Sequence, residues 1–230
     1  MSMIAAFYSN KSVLITGATG FLGKVLMEKL FRTSPHLKVI YILVRPKSGQ
    51  TLQERVFQIL NSKLFEKVKE VCPNVHEKIR PISADLNQRD FAISKEDMQE
   101  LLSCTNIVFH CAATVRFDAH LRWLDDSIID EITPKLIGDR PNTYTYTKAL
   151  GEIVVQQESG NLNVAIVRPS IVGATWQEPF PVNTLLLLYF NPGALRTSFF
   201  LIVHLHFPLL LPFLSFIPLF LHPLTNWLVL

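Results

Sequence analysis

Residues 16–23 read Thr-Gly-Ala-Thr-Gly-Phe-Leu-Gly, which spaces Gly17, Gly20 and Gly23 as G-x-x-G-x-x-G. The run before it, Ser12 to Thr16, is short, β-branched and apolar, and it reads as a buried strand. After it, Phe21, Leu22, Val25, Leu26, Leu30 and Phe31 recur at helical spacing as far as Arg32. A strand that turns on glycines straight into a helix leaves few folds open. Glycines allow the tight turn and let a ligand approach the backbone closely. The free N–H groups and the dipole at the helix start then favour a phosphate. The alternative is a ligand-free glycine turn; three glycines in register, in this context, favour the phosphate site.

The same alternation continues. Val39 to Val44 is a second continuous apolar strand, ended by Pro46, and Leu52, Val56, Phe57, Ile59 and Leu60 mark a second helix. Ile79 to Ser83 is a third strand, Ser94 with Asp97 opens a helix through Leu102, and Ile107 to His110 is a fourth strand. Tyr144 to Gln157 reads as a helix with Ala149, Leu150, Ile153, Val154 and Val155 as its apolar positions, followed by a buried strand at Val164 to Val167. Strands that are apolar throughout predict a parallel sheet covered on both faces, an α/β doubly wound Rossmann sheet. One interval is short. Only 33 residues separate His110 from Tyr144. A helix fits at Asp125 to Ile137, but no strand-like run remains beside it, and a parallel crossover needs a dozen residues or more. The sheet is therefore expected to lack one strand.

Charge divides the chain. There are 22 basic and 19 acidic side chains, and of these only Arg196 lies beyond residue 178. Seven of the 14 prolines also lie there. We expect a nucleotide-binding domain over 1–178 and an apolar, proline-rich tail over 179–230. From Thr197 to Leu230, 34 residues carry no Asp, Glu, Lys or Arg, more than the about 20 that span a bilayer. Pro208, Pro212, Pro218 and Pro223 oppose a regular helix. Phe, Leu, Pro and Ser fill 23 of the 34 positions, and all four have pyrimidine-rich codons, as in a stretch translated out of frame. Three readings of this tail stand: non-ancestral sequence with some affinity for membrane, a membrane anchor, or a buried soluble segment. Three cysteines, Cys72, Cys104 and Cys111, make no disulfide framework, which fits a reduced, intracellular setting. Basic and acidic residues are interspersed, so nucleic acid is not an expected partner. Met1 to Asn10 lacks the features of a secretory signal.

The second strand ends Val44-Arg45-Pro46-Lys47. An acid at this place favours a free ribose 2′-hydroxyl; Arg45, with Lys47 close by, suits a 2′-phosphate and so NADP rather than NAD. A solvated basic loop is the alternative. Asp85 and Leu86, after the third strand, are placed to flank an adenine, although a surface aspartate fits nearly as well. After the fourth strand, the small Ala112 and Ala113 would let a cofactor pass close to the backbone, with His110 and Cys111 as packing residues.

Tyr144 and Lys148 form Y-x-x-x-K on one helix face. A lysine cation beside a tyrosine is expected to lower the phenol pKa from about 10 toward neutrality. Such a tyrosine can protonate a carbonyl oxygen while hydride reaches its carbon. A surface pair is the alternative; the glycine turn upstream favours chemistry. Tyr146 has no lysine four residues on.

These motifs are those of the extended short-chain dehydrogenase/reductase superfamily. TGATGFLGKVLMEKL, YILVRPK, HCAATVRFD, YTYTKALGE and VRPSIVGATWQEPFP together resemble the alcohol-forming fatty acyl-CoA reductases of animals, over roughly residues 1–122 and 123–181. The resemblance implies reduction of a long-chain acyl-CoA to a fatty alcohol by NADPH on peroxisomal membranes. Tyr144 would be the acid and Lys148 its partner, also holding the nicotinamide ribose. Gly17, Thr19, Gly20, Phe21, Leu22, Gly23 and Arg45 would hold NADPH, and Arg168, Pro169 and Ser170 would border the nicotinamide. The family also carries a longer segment before the tyrosine helix, with a strand ending in an active-site serine or threonine. Here that segment is expected to be deleted near 122/123, leaving Thr114 and Ser127 as the nearest hydroxyls, and the family's C-terminal region is expected to be missing. Two outcomes follow besides a working reductase: a non-catalytic NADPH-binding remnant, or a product that does not fold stably.

Overall fold

The computed structural model describes residues 2–86, 88–112, 135, 137–139, 143–167 and 201–205. Short helix α1 (Met3–Tyr8) precedes strand β1 (Ser12–Thr16), helix α2 (Phe21–Thr33) and strand β2 (Val39–Val44). Helices α3 (Leu52–Leu60) and α4 (Glu66–Val71) lead to strand β3 (Ile79–Ser83), helix α5 (Lys95–Cys104) and strand β4 (Ile107–His110). Helix α6 (Thr143–Glu158) and strands β5 (Asn163–Val167) and β6 (Leu201–Leu205) follow.

Strands β1 to β4 pair in parallel in the order β3-β2-β1-β4. Their pleat sends alternate side chains into two cores. Val13, Ile15, Ile40, Ile42 and Phe109 meet Met27 and Phe31 of α2 and Val56 and Ile59 of α3 on one face. Leu14, Tyr41, Leu43 and Val108 meet Leu101 of α5 and Val155 of α6 on the other. Both faces are covered, so continuous apolar strands are the stable choice, and the expected doubly wound α/β architecture is present.

Local signals set most element ends. Thr51 and Glu54 make a reciprocal capping box at the start of α3. Ser94 caps α5 by accepting from the Asp97 N–H, while its own hydroxyl donates to the Asp97 carboxylate. Helix α1 and the helical turns over 63–78 were not expected. They are short pieces without a full amphipathic period, and α1 rests on a Ser2 cap that accepts from the Ala5 N–H.

The later part of the sheet departs from expectation. Strand β6 runs antiparallel to both β4 and β5, in the order β4-β6-β5. Residues 201–205 of the tail thus lie beside β4, and Ile107 and Asn163 both pair with Leu205. Strand β5 is not the buried strand expected: Asn163, Ala165 and Val167 are exposed, and Val167 is 44% exposed. It is the outermost strand of the sheet, so it alternates like a half-covered one. Of the helix expected at Asp125 to Ile137, only Lys135 and Ile137 lie among the described residues, both helical.

Candidate active site

The glycine turn is shaped by what a side chain would strike. Gly17 has φ 68°, in the left-handed region, and a Cβ there would sit 2.6 Å from the Ala112 Cα and backbone nitrogen. A Cβ on Gly23 would lie 2.4 Å from the Gly17 carbonyl oxygen. At Gly20 the nearest atom is that same oxygen at 3.2 Å, a milder crowding. The Gly20 N–H donates to Gly17 O at 2.9 Å, which closes the turn. Gly20 is also the N-cap of α2 and brings no side-chain oxygen to the helix's first N–H groups. A site built this way suits an external anion. Thr19 is half-buried and Phe21 is exposed beside the turn, whereas Leu22 packs against the core, so only its backbone is placed to serve a phosphate.

The end of β4 lies directly on this turn. Cys111 N–H donates to Thr16 O and Ala112 N–H to Thr16 Oγ1, both at 3.3 Å. The buried Ala112 therefore sits against Gly17, in keeping with the small residue expected there. Cys111 is buried, and desolvation pushes its thiol up to about 12, so it stays neutral.

At the end of β2, Arg45 Nε lies 3.4 Å from Asp85 Oδ1. The structure thus joins two residues that the sequence assigned to different parts of one ligand. Arg55, one turn into α3, donates from Nη1 to the Arg45 carbonyl oxygen. Arg55 was missed because it lies in the next helix; its ten-residue distance from Arg45 becomes proximity only when α3 folds back. Asp85 and Leu86 are half-buried. Their loop turns through three left-handed residues, Asp90, Phe91 and Ala92, with φ of 50°, 56° and 51°. None is glycine, so no sequence signal marked the bend. The buried Phe91 ring and the Asp85 N–H to Phe91 O bond at 2.7 Å hold it.

Helix α6 reverses the expected amphipathicity. Its buried positions are Tyr144, Thr147, Lys148, Gly151, Glu152 and Val155, while Leu150 and Ile153 are exposed. The polar stripe faces inward. Tyr144 and Lys148 are each only 2% exposed, which rules out the solvated surface pair. Lys148 Nζ lies 5.4 Å from the centroid of the Tyr144 ring. The expected lowering of the phenol pKa is not found. Burial raises the Tyr144 pKa, and the same desolvation pushes Lys148 down from 10.5 to about 7. Near neutrality Lys148 is then only partly charged, so it offers the phenolate weaker support than a full cation would. Glu152, one turn beyond Lys148 on the buried stripe, was also missed. Its spacing of i+4 from Lys148 was the available signal. Ala113, Thr114, Ser127, Arg168, Pro169 and Ser170 lie outside the described residues.

The chain matches a family model described as male sterility protein, an NAD-binding family, over residues 15–126 and 119–198. It is 73% identical to fatty acyl-CoA reductase 2 of Mus musculus and 66% identical to that of Homo sapiens. Each match runs over 241 residues and takes in 79% of this chain and 47% of the relative. The chain belongs to the fatty acyl-CoA reductase family. It spans about half the length of the curated relatives it matches. Among solved structures, the terminal R domain from the myxalamid PKS-NRPS biosynthetic pathway is 28% identical, with a TM-score of 0.40, covering 53% of this chain and 29% of that one. The matched family is named for NAD binding, which suggests a nicotinamide cofactor.

Proposed function

We propose that this chain binds NADPH and reduces a long-chain fatty acyl-CoA toward the fatty alcohol. The observation that carries the reading is the buried Tyr144–Lys148 pair on the sheet face that also holds His110, in a chain whose glycine turn is closed against Ala112. The turn fits a dinucleotide. Gly17 and Gly23 keep side chains out of the turn, the uncapped first N–H groups of α2 are left for the pyrophosphate, and the small Ala112 leaves room beside it. Arg45, supported by Asp85 and flanked by Arg55, would take the 2′-phosphate in a fork. When bound, NADPH supplies the hydride. The chain's own part is acid catalysis. A carbonyl oxygen reaching Tyr144 would take the phenolic proton as charge builds on it. The raised phenol pKa keeps that proton in place until then, and Lys148 would hold the ribose and stabilise the phenolate left behind.

A second reading, cofactor binding without turnover, is favoured by one comparison. The matched stretch of 241 residues exceeds 79% of a 230-residue chain, about 182 residues, by about 59. That difference is room for the strand and the serine or threonine that would orient a carbonyl beside Tyr144. Of the tail over 197–230, the part beyond β6 is proposed to associate with membrane, and the protein to act at the peroxisomal membrane. Among the described residues, no helix is long and apolar enough to cross a membrane.

One paired measurement separates these outcomes. NADPH should raise the melting temperature of the full chain. Long-chain acyl-CoA should then drive NADPH oxidation above the Tyr144→Phe level. A thermal shift without turnover leaves the second reading. Absence of any shift removes both. Vesicle flotation of the full chain against a 1–205 truncation, which keeps β6, tests the tail, and equal flotation rejects a membrane role for residues 206–230.

A further inference from the structure

His110 was read from sequence as packing, and the proposed reaction does not use it. Its surroundings argue for more. Thr16 and His110 are register partners at the carboxyl ends of β1 and β4, on the sheet face that carries Leu14 and Val108. Helix α6 packs on that face through Val155. The imidazole is buried, and its Nδ1 lies 2.8 Å from Thr16 Oγ1. That hydroxyl also accepts the Ala112 N–H at 3.3 Å. A hydroxyl has a single proton to give. Ala112 takes one of its two lone pairs; in the tautomer we assign, Thr16 gives its proton to His110 Nδ1, and the neutral ring carries its own proton on Nε2. Burial first, and then the Lys148 charge, push the imidazole down to about 3, which keeps it neutral and able to accept. His110 is therefore near enough to Lys148 to feel its charge, while its other nitrogen is committed to the residue before Gly17.

We propose that His110 is a positioning residue: through Nδ1 it orients the Thr16 hydroxyl, which holds Ala112 and the β4 end against the glycine turn and so presets the turn for the pyrophosphate. This role rests on the NADPH reading above. Gly17 tolerates no Cβ because Ala112 lies so close, so the turn and the β4 end form one fitted contact. Thr16 Oγ1 is the only side-chain oxygen recorded in that contact among the described residues, and His110 fixes which way its proton points.

A packing role and a positioning role predict opposite rankings. Asparagine places an acceptor oxygen close to where Nδ1 sits but fills the site poorly; leucine fills it better but accepts nothing. In NADPH titrations of the full chain, His110→Leu and Thr16→Val should each weaken binding about tenfold, the scale of one buried polar group left unpaired. The double variant should be no weaker than either single one, because both remove the same link. His110→Asn should bind within about twofold of the unaltered chain, since its acceptor is kept. Tighter binding by His110→Leu than by His110→Asn, or additive losses in the double variant, overturns the proposal. If the leucine variant does not fold, Thr16→Ser against Thr16→Val decides it, because serine keeps the hydroxyl; equal NADPH affinity of those two overturns it. No NADPH binding by the unaltered chain removes the cofactor reading and this role together. Binding that ignores all these substitutions removes this role alone.

Discussion

The parts of the molecule before residue 112 and after residue 143 use burial in opposite ways. In the first, β1, β2 and β4 are buried almost throughout, and apolar side chains face helices on both sides. In the second, the buried face of α6 carries a tyrosine, a threonine, a lysine and a glutamate, and β5 is half exposed. Hydrophobic burial stabilises, whereas burying a lysine costs stability unless its charge is matched or given up. The first part is therefore a source of stability. The second uses some of that stability to keep Tyr144 and Lys148 out of water.

Substitutions should separate the two parts cleanly. The largest effect is expected in the second. Tyr144→Phe should lower any acyl-CoA-dependent NADPH oxidation by about 10²–10⁴-fold, the usual weight of a proton donor, while the melting temperature changes little. A large fall in melting temperature instead would make Tyr144 part of the framework. Next comes Leu14→Ala at the centre of the sheet, expected to cost about 2–5 kcal/mol in denaturant unfolding. Val164→Ala in half-covered β5 should cost well under half as much, and equal costs would erase the contrast.

The buried lysine gives a pH test. Its folded pKa is about 7 against 10.5 in the unfolded chain, so between those values the unfolded chain holds more protons. This group's contribution to stability therefore rises with pH from about 7 to 10.5. Lys148→Met should flatten the rise, and an unchanged pH profile would show that Lys148 keeps its charge when folded. The smallest effect is expected at Thr51→Ala, which removes a cap far from the chemistry and should cost about 1 kcal/mol with NADPH binding unchanged.

What could be read from the sequence follows the same division. Strands β1 to β4, helix α2 and the cap at Ser94 were legible because each is written in neighbouring residues. So were Gly17 and Ala112, whose smallness has a steric reason. The inward polar stripe of α6 was not, because Leu150 and Ile153 look like core residues until the sheet shows which face they miss. The Arg45–Asp85 pair and the Thr16–His110 pair cross from strand end to strand end, over spacings that no local pattern records. The Tyr144 pKa was misjudged for a related reason: spacing gave its distance from Lys148, but the cost of removing the pair from water depends on everything packed around it.

The arrangement β4-β6-β5 also sets a timetable. Strands β1 to β4 can zip together in the order in which they are synthesised, each beside one already made. Among the described residues, strand β5 pairs only with β6, which begins after 33 further residues. Joining β5 to the sheet must therefore wait for the stretch over 201–205, and a growing chain holds its four-strand core before the tyrosine helix gains its last anchorage.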